Sequence, residues 1–370
     1  MARSVGARDI DWTLLLIVLL ICAVGVLQIY SATLGMKSHS AWWKQIFWVA
    51  GGLVLMWLVV PTDYHGFLHH VPLMYIVSTL ALLLTFAIGQ QAFGSQRWIP
   101  IPHTGIKMQV SEFVKLVIIL LVARYLTDLR RDELDVGEML KLAGLVLVPA
   151  ALVLAQPDIG TALTYIGVLA GGVFIAGLHW KYIAVAVFGV TLVLFVVLWT
   201  PLGSHFLKDY QKARLTSFLD PDEDPRGSGY QVRQSQTAIG SGGMFGKGVT
   251  KGTQAQLHFL PVPEKDFIFA AFAEEHGFVG VVVVLALYFV MIMRIVQNAQ
   301  TAPERAGMYI CMGVAALLLS HILINVGVVA GLMPVTGIPL PFMSAGGSNI
   351  CTSFLALGLV NNVRLRRFVN

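Results

Sequence analysis

Apolar runs separated by short polar breaks dominate this chain, without the alternation expected of half-buried strands. With soft edges they cover about 12–31, 43–61, 71–89, 111–127, 139–155, 160–178, 182–200, 278–296, 306–330 and 346–363. A helix needs about 20 apolar residues to cross a hydrocarbon core roughly 30 Å thick, so the pattern predicts about ten transmembrane helices. Lipid offers the backbone no hydrogen-bond partner, which leaves helices or a closed barrel. Continuous rather than alternating hydrophobicity excludes the barrel. The predicted fold class is an all-α polytopic integral membrane protein, a single membrane-embedded domain over 1–370. One block breaks the pattern. Residues 201–266 are polar, glycine-rich and charged with both signs, and they end LHFLPVPEKDFIF, so Asp266 stands where the chain turns apolar again. Aromatics in the block, such as Phe206, Tyr210, Tyr230, Phe245 and Phe259, predict order rather than a disordered linker.

Composition agrees with the pattern. The chain is 56% hydrophobic and 12% charged, against roughly 25% charged residues in a soluble domain. The net charge of +5 says less than the placement of the cations. With ten spans, Arg3, Arg8, Arg130, Arg131, Lys181, Arg294, Arg305, Arg364, Arg366 and Arg367 all fall on one side. The positive-inside rule makes that side cytoplasmic. Both termini are then predicted inside, and the 201–266 loop is extracytoplasmic. No cleavable signal peptide is evident, because the first apolar run is long enough to span and no small-residue cleavage site closes it. Cys22, Cys311 and Cys351 each lie in an apolar run and read as small buried hydrophobes. No Cys/His cluster suggests a metal. No cofactor motif is legible; a divalent cation is compatible with the chemistry discussed below but has no readable ligand set. AIGSGGMFGKGVTKGTQ is not a phosphate loop, since Lys247 is followed by Gly248 and no βαβ unit flanks it. Nothing points to nucleic acid as a partner.

Five places carry candidate chemistry. In MQVSEFVKLVIILL, Glu112 and Lys115 are three apart and share a helix face. An ion pair at the outer end of a membrane helix is a functional hypothesis by default; the bland alternative is a helix start with Ser111 as cap. In AQPDIGTAL, Asp158 falls on the same side of the membrane, where it either caps the sixth span or joins Glu112 and Lys115 in facing one outer cavity. The outer loop GSQRWIPIPHTGIK adds Arg97 and Lys107, cations suited to binding an anionic group such as a pyrophosphate; the equal alternative for Arg97 is an anchor at the lipid headgroups. Glu274 and Glu275 read as a structural polar contact, with one of them as a second functional acid the alternative. The last outer loop, GLMPVTGIPLPFMSAGGSNI, is broken backbone that either lines a cavity or packs against protein.

Several stretches together resemble one family: AQPDIG, FLDPDEDPRGSGYQVRQSQTAIGSGGMFGKG, GTQAQLHFLP, DFIFAAFAEEHG and TGIPLPFMSAGGS. They are similar to the SEDS proteins (shape, elongation, division and sporulation), over essentially the whole chain. The AIGSGG…GKG…GTQ form and the short tails look more like the elongation branch than the division branch. The resemblance implies a multi-pass protein of the bacterial cytoplasmic (inner) membrane. It implies a peptidoglycan glycosyltransferase polymerising lipid II, the undecaprenyl-pyrophosphate-linked disaccharide peptide, on the outer face. It also implies a class B penicillin-binding protein as transpeptidase partner, within the membrane lipid. The family's functional positions map onto Glu112, Lys115, Asp158 and Asp266, with Asp266 first, as the expected catalytic base. A base must be ionised, and the start of the following helix is expected to favour that form; the bland alternative makes Asp266 only an N-cap. This sequence departs from the family's usual HTDF, FQPSE and SYGGS, reading EKDF, MQVSE and SAGGS. The missing side chains lose any family role, while the aspartate, glutamate, lysine and glycines persist. The competing classes are a flippase for the lipid-linked precursor, which needs a polar path to the cytoplasmic face, and a scaffold, which needs no acid cluster.

Overall fold

A computed structural model describes residues 9–36, 38–92, 95–100, 107–129, 135–177, 214, 217–218 and 227–367. The expected span 182–200, Arg3, Arg8, Lys37, Arg130, Arg131, Lys181 and most of 201–226, with Phe206 and Tyr210, lie outside the described residues. Within them the chain forms α1 (Trp12–Ala32), α2 (Ala41–Val59), α3 (Tyr64–Ile88), β1 (Gln90–Ala92), β2 (Ser95–Pro100), β3 (Lys107–Gln109), α4 (Val110–Asp128), α5 (Val136–Ala155), α6 (Ile159–Ile175), α7 (Ser228–Gly242), α8 (Thr253–Gln256), α9 (Ile268–Gln300), α10 (Arg305–Val329) and α11 (Gly347–Arg366). Every predicted run except 182–200 falls on one of these helices. α1, α2, α3, α5, α9 and α10 are long and apolar enough to cross a membrane. α4 and α11 carry more charge and polarity because other helices surround them, so their Ser111, Glu112, Lys115, Asn349, Thr352, Asn361 and Asn362 face protein. Such residues persist in a bundle where protein partners answer them.

One boundary differs from the expectation. α3 starts at Tyr64 rather than 71, because Asp63 caps it by accepting from His65 N and so draws the polar YHGFLHH into the helix. Pro72 inside α3 cannot donate to the carbonyl of Leu68. Arg124 of α4 fills that gap, its Nη1 donating to Leu68 O at 2.7 Å and His69 O at 3.0 Å. α9 starts at Ile268, because DFIFAAFAEEHGF forms a short helix that runs into the apolar span, and it is broken at Gly277 (φ 66°, ψ −167°). A small antiparallel sheet, order β1-β2-β3, is an addition to the all-helical expectation. Its register pairs Trp98 with Gln109 and Pro100 with Lys107, which lays β2 beside the start of α4.

Small residues set the helix spacing near the centre. A Cβ on Gly167 of α6 would meet Ser320 Oγ of α10 at 2.1 Å, and one on Gly171 would meet Ala316 Cβ at 2.6 Å. A Cβ on Gly172 would meet Val122 Cγ1 of α4 at 2.4 Å. This is the small-xxx-small packing that lets membrane helices approach closely. It wedges α6 between α4 and α10 and brings their outer ends together. At the other end, Asp11 accepts from Arg294 Nη2 (2.8 Å) and Asn298 Nδ2 (2.9 Å), and Arg364 Nη1 stands 3.4 Å away. The start of α1 and the ends of α9 and α11 therefore share one membrane side, as ten spans require.

Two outcomes are expected. Cys22, Cys311 and Cys351 are buried, so an impermeant thiol reagent applied to intact cells should modify Lys251→Cys but reach Arg367→Cys only after lysis. The reverse pattern would overturn the topology. Gly171→Leu should cost about 1–3 kcal/mol by overpacking in thermal unfolding of the purified protein. Gly144→Leu, on α5 with open space around its Cβ position, should be close to neutral.

Candidate functional site

β3 runs directly into α4, so Gln109 is both the last strand residue and the N-cap of the helix, with extended φ −102° and ψ 111°. Its side chain does not cap. Instead Nε2 donates to Asp158 Oδ2 (2.9 Å) and Ser111 Oγ (3.0 Å). Asp158 is the N-cap of α6, accepting from Thr161 N (3.1 Å) and Thr161 Oγ1 (3.0 Å). The same carboxylate pairs with Arg97 Nη1 at 3.0 Å. Both roles weighed for Asp158 are therefore present in one residue, and the sheet register is what delivers Arg97.

One turn further along α4, Lys115 Nζ lies 2.7 Å from Glu112 Oε1. Asn349 Nδ2 of α11 donates to Glu112 Oε2 at 3.2 Å. Lys115 Nζ also lies 3.0 Å from His321 Nε2 of α10, whose Nδ1 stands 3.2 Å from Pro339 O. Tyr165 OH of α6 donates to Ser111 O at 2.7 Å, joining this pair to the Asp158 group. The expected outer cavity is not open: Glu112, Lys115 and Asp158 are 4%, 1% and 3% exposed. A charge removed from water has to be paired and hydrogen-bonded, and these three close onto their partners.

Asp266 sits in the turn before α9. The cap of α9 is Phe267, with no side-chain cap bond, so Asp266 is not the N-cap. Its backbone carbonyl accepts from Asn325 Nδ2 (2.9 Å), which also donates to Ile338 O (2.7 Å). Gly337, at φ 72°, lies beside it, and a Cβ there would stand in ordinary van der Waals contact with Asp266 Oδ2 at 3.5 Å. Among the described residues the carboxylate accepts no hydrogen bond. Burial pushes its pKa above the usual carboxylate range; Arg97 and Lys265 oppose the shift, and Asp158 adds to it. The expectation that the helix start would favour the charged form is thus corrected: desolvation outweighs the weak field of the helix end.

Lys107 stands exposed on β3 and makes none of these contacts. Glu274 is fully buried and is a structural hub, in line with the reading of Glu274 and Glu275 as a structural contact. Lys247 Nζ reaches its Oε1 at 2.6 Å, Thr253 Oγ1 donates at 2.9 Å and Gln254 N at 3.1 Å. Lys247 N and Gly248 N donate to the carbonyls of Glu274 and Glu275, while Phe278 N and Val279 N donate to those of Gly243 and Met244. The glycine-rich stretch is thus stitched to the break in α9, and a Cβ on Gly277 would strike Gly246 N at 2.3 Å. Sequence reasoning passes over Gln109, His321, Asn325 and Asn349. The signal for two of them is present: His321 and Asn325 are four apart, a polar pair on one face of an otherwise apolar run. Among the described residues no cluster of His, Cys, Asp and Glu has the makings of a metal site.

The cell cycle protein family of FtsW, RodA and SpoVE matches residues 11–367. The sequence is 38% identical to the peptidoglycan glycosyltransferase MrdB of Escherichia coli (strain K12), over 97% of this chain and 94% of that one. It is 34% identical to the probable peptidoglycan glycosyltransferase FtsW of Thiomicrospira cyclica, over 95% and 91%. Among solved structures, a chain from a peptidoglycan synthase complex that coordinates polymerization and crosslinking superposes with a TM-score of 0.82 at 29% identity, covering 98% of this chain and 99% of that one.

Removing one partner of a buried ion pair strands the other. Lys115→Met should lose about 3–5 kcal/mol while still inserting into the membrane. Adding Glu112→Gln should recover most of that loss in thermal unfolding. A double variant no more stable than the single one would refute the pairing.

Proposed function

We propose, from the premise that this chain belongs to the cell cycle protein family of FtsW, RodA and SpoVE, that it polymerises lipid II on the outer face of the membrane during cell elongation. The chain is an enzyme, a peptidoglycan glycosyltransferase, as are relatives of that name matched over nearly its full length. It is a multi-pass membrane protein of the bacterial inner membrane. The elongation role is our reading. Its support is the motif forms noted above, the AIGSGG…GKG…GTQ stretch and the short tails. A class B penicillin-binding protein is the proposed transpeptidase partner, in keeping with a solved neighbour that belongs to a synthase complex.

The observation that carries the catalytic reading is the Asp266 carboxylate, which among the described residues accepts no hydrogen bond and stands near enough to Arg97 and Asp158 to feel both charges. Forming a glycosidic bond requires a sugar hydroxyl to attack an anomeric carbon that carries the lipid pyrophosphate. The new O–C bond forms, the C–O bond to the pyrophosphate breaks, and the hydroxyl proton goes to Asp266. A positioned base contributes about 10²–10⁴-fold, and a raised pKa makes this carboxylate a stronger one. The leaving pyrophosphate is anionic and needs cations rather than an acid, for which Arg97, Lys107 and Lys115 are the proposed set. Lys115 is covered in the arrangement seen here, so on this reading outer segments part to admit the substrate. Against a flippase stands the α4 segment beneath Lys115, where Ile118, Ile119, Leu120 and Val122 are buried and apolar and offer no polar path along that helix.

Polymerisation of lipid II by the purified chain tests the proposal. Asp266→Asn should be nearly inactive yet fold normally; activity close to wild type would refute the base assignment. The wild-type rate should fall as the pH drops through the raised pKa of Asp266, because protonation fills the lone pair that the base uses. That loss should begin above the pH at which an ordinary carboxylate titrates, as read from initial rates across the acidic range. For the elongation role, expression in rod-shaped cells depleted of their elongation polymerase should restore rods.

A further inference from the structure

We infer that His321 is a positioning residue for Lys115: a neutral imidazole whose Nε2 accepts one ammonium proton and so fixes where that cation stands. The inference rests on the polymerase reading above. Lys115 Nζ lies 2.7 Å from Glu112 Oε1 and 3.0 Å from His321 Nε2. An ammonium group donates only, so Nε2 must be the acceptor and the ring proton must sit on Nδ1. The contact of Nδ1 with Pro339 O at 3.2 Å requires that same tautomer. A protonated ring would offer Lys115 no acceptor at all. Two of the three ammonium protons are therefore committed, and among the described residues the third has no acceptor and remains for an anionic oxygen of the substrate.

The imidazole is itself anchored. His321 is 3% exposed, and its helix meets α6 through the Gly167–Ser320 and Gly171–Ala316 contacts. Four residues on, one turn along the same face, Asn325 donates to the carbonyls of Ile338 and Asp266. His321 and Asn325 thus tie the adjacent carbonyls of Pro339 and Ile338 to α10. Through the first, α10 holds Lys115; through the second, it holds the backbone of Asp266. One rigid helix face consequently sets both the proposed cation and the proposed base. Displacement of a reacting group by about 1 Å is enough to cost on the order of 10²-fold in rate, which is the scale on which such an anchor acts.

The test uses the full-length purified protein, with lipid II for rate and undecaprenyl pyrophosphate for binding. His321→Leu removes the acceptor at similar volume and should lower kcat about 10–100-fold. The KM should move less, because negative charge on the pyrophosphate grows as its bond to carbon breaks. His321→Gln, which keeps an acceptor and a donor, should restore most of the rate. In a Lys115→Met background, His321→Leu should weaken undecaprenyl pyrophosphate binding no further, since its effect runs through the missing ammonium. Should His321→Leu fail to fold, His321→Gln decides: a folded but inactive Gln variant overturns the inference. So does a His321→Leu variant of wild-type rate, or an additive loss of binding in the double variant. If Lys115→Met itself binds undecaprenyl pyrophosphate as the wild type does, the polymerase reading of Lys115 fails instead, and the two failures are told apart.

Discussion

A lysine ammonium at 1% exposure among membrane helices exists only where its charge is answered. Bringing an ion out of water costs several kcal/mol even after relaxation, and good geometry has to repay it. The outer end of this bundle is arranged around that requirement. Glu112 supplies the counter-charge from one turn away, Asn349 of α11 donates to that carboxylate, and His321 of α10 gives Lys115 a second acceptor. Three helices must therefore meet at one height, and the glycines of α6 allow the close approach that keeps them there. Bundle packing and polar satisfaction are one problem here, because side chains on α6 at 167, 171 and 172 would separate the helices whose ends complete the ion pair.

The glycine-rich stretch solves a related problem next door. Glu274 and Glu275 are buried in the broken part of α9, and the chain from 243 to 254 answers them with Lys247, backbone N–H groups and Thr253. Thr250 N adds a bond to Ser31 Oγ, itself 2.5 Å from Glu275 Oε1, so α1 joins the clamp. Gly246 and Gly277 sit where any Cβ would strike backbone, and both have positive φ. The likeness of this stretch to a phosphate loop has its origin in that clamp. Close backbone approach calls for glycine whether the acceptor is a phosphate or a buried helix carbonyl.

Much of the bundle is legible in the sequence because length and continuous hydrophobicity are strong signals, and the i, i+3 spacing of Glu112 and Lys115 yields their pairing directly. Other features depend on what a residue meets rather than on what it is. QQA, SQRWIP and KMQ carry no hairpin signal, so the sheet that delivers Arg97 to Asp158 is not readable. The start of α3 is misplaced by hydropathy, which does not register a cap such as Asp63. The break at Gly277 hides inside a run that reads as continuous helix. Closure of the charged cluster escapes a one-dimensional reading, which shows which charges share a membrane side but not which partners seal them.

Sealing also separates the roles of the three acids. A carboxylate has about four lone-pair sites. Asp158 meets Thr161 Oγ1, Gln109 Nε2 and Arg97 Nη1 on Oδ2 and Thr161 N on Oδ1. Taking up a proton would forfeit the charge that pairs with Arg97, and its contribution is to hold Arg97 and the start of α6. Glu112 is engaged on both oxygens, and protonating it would forfeit the charge that Lys115 requires. Among the described residues Asp266 alone of the three keeps its carboxylate free of hydrogen bonds, held by its backbone through Asn325 rather than by its side chain. A base must be fixed in place and yet hydrogen-bonded to nothing until the hydroxyl arrives. Anchoring the main chain while leaving the half-buried carboxylate free of hydrogen bonds among the described residues meets both demands, and partial burial raises its pKa in the same direction.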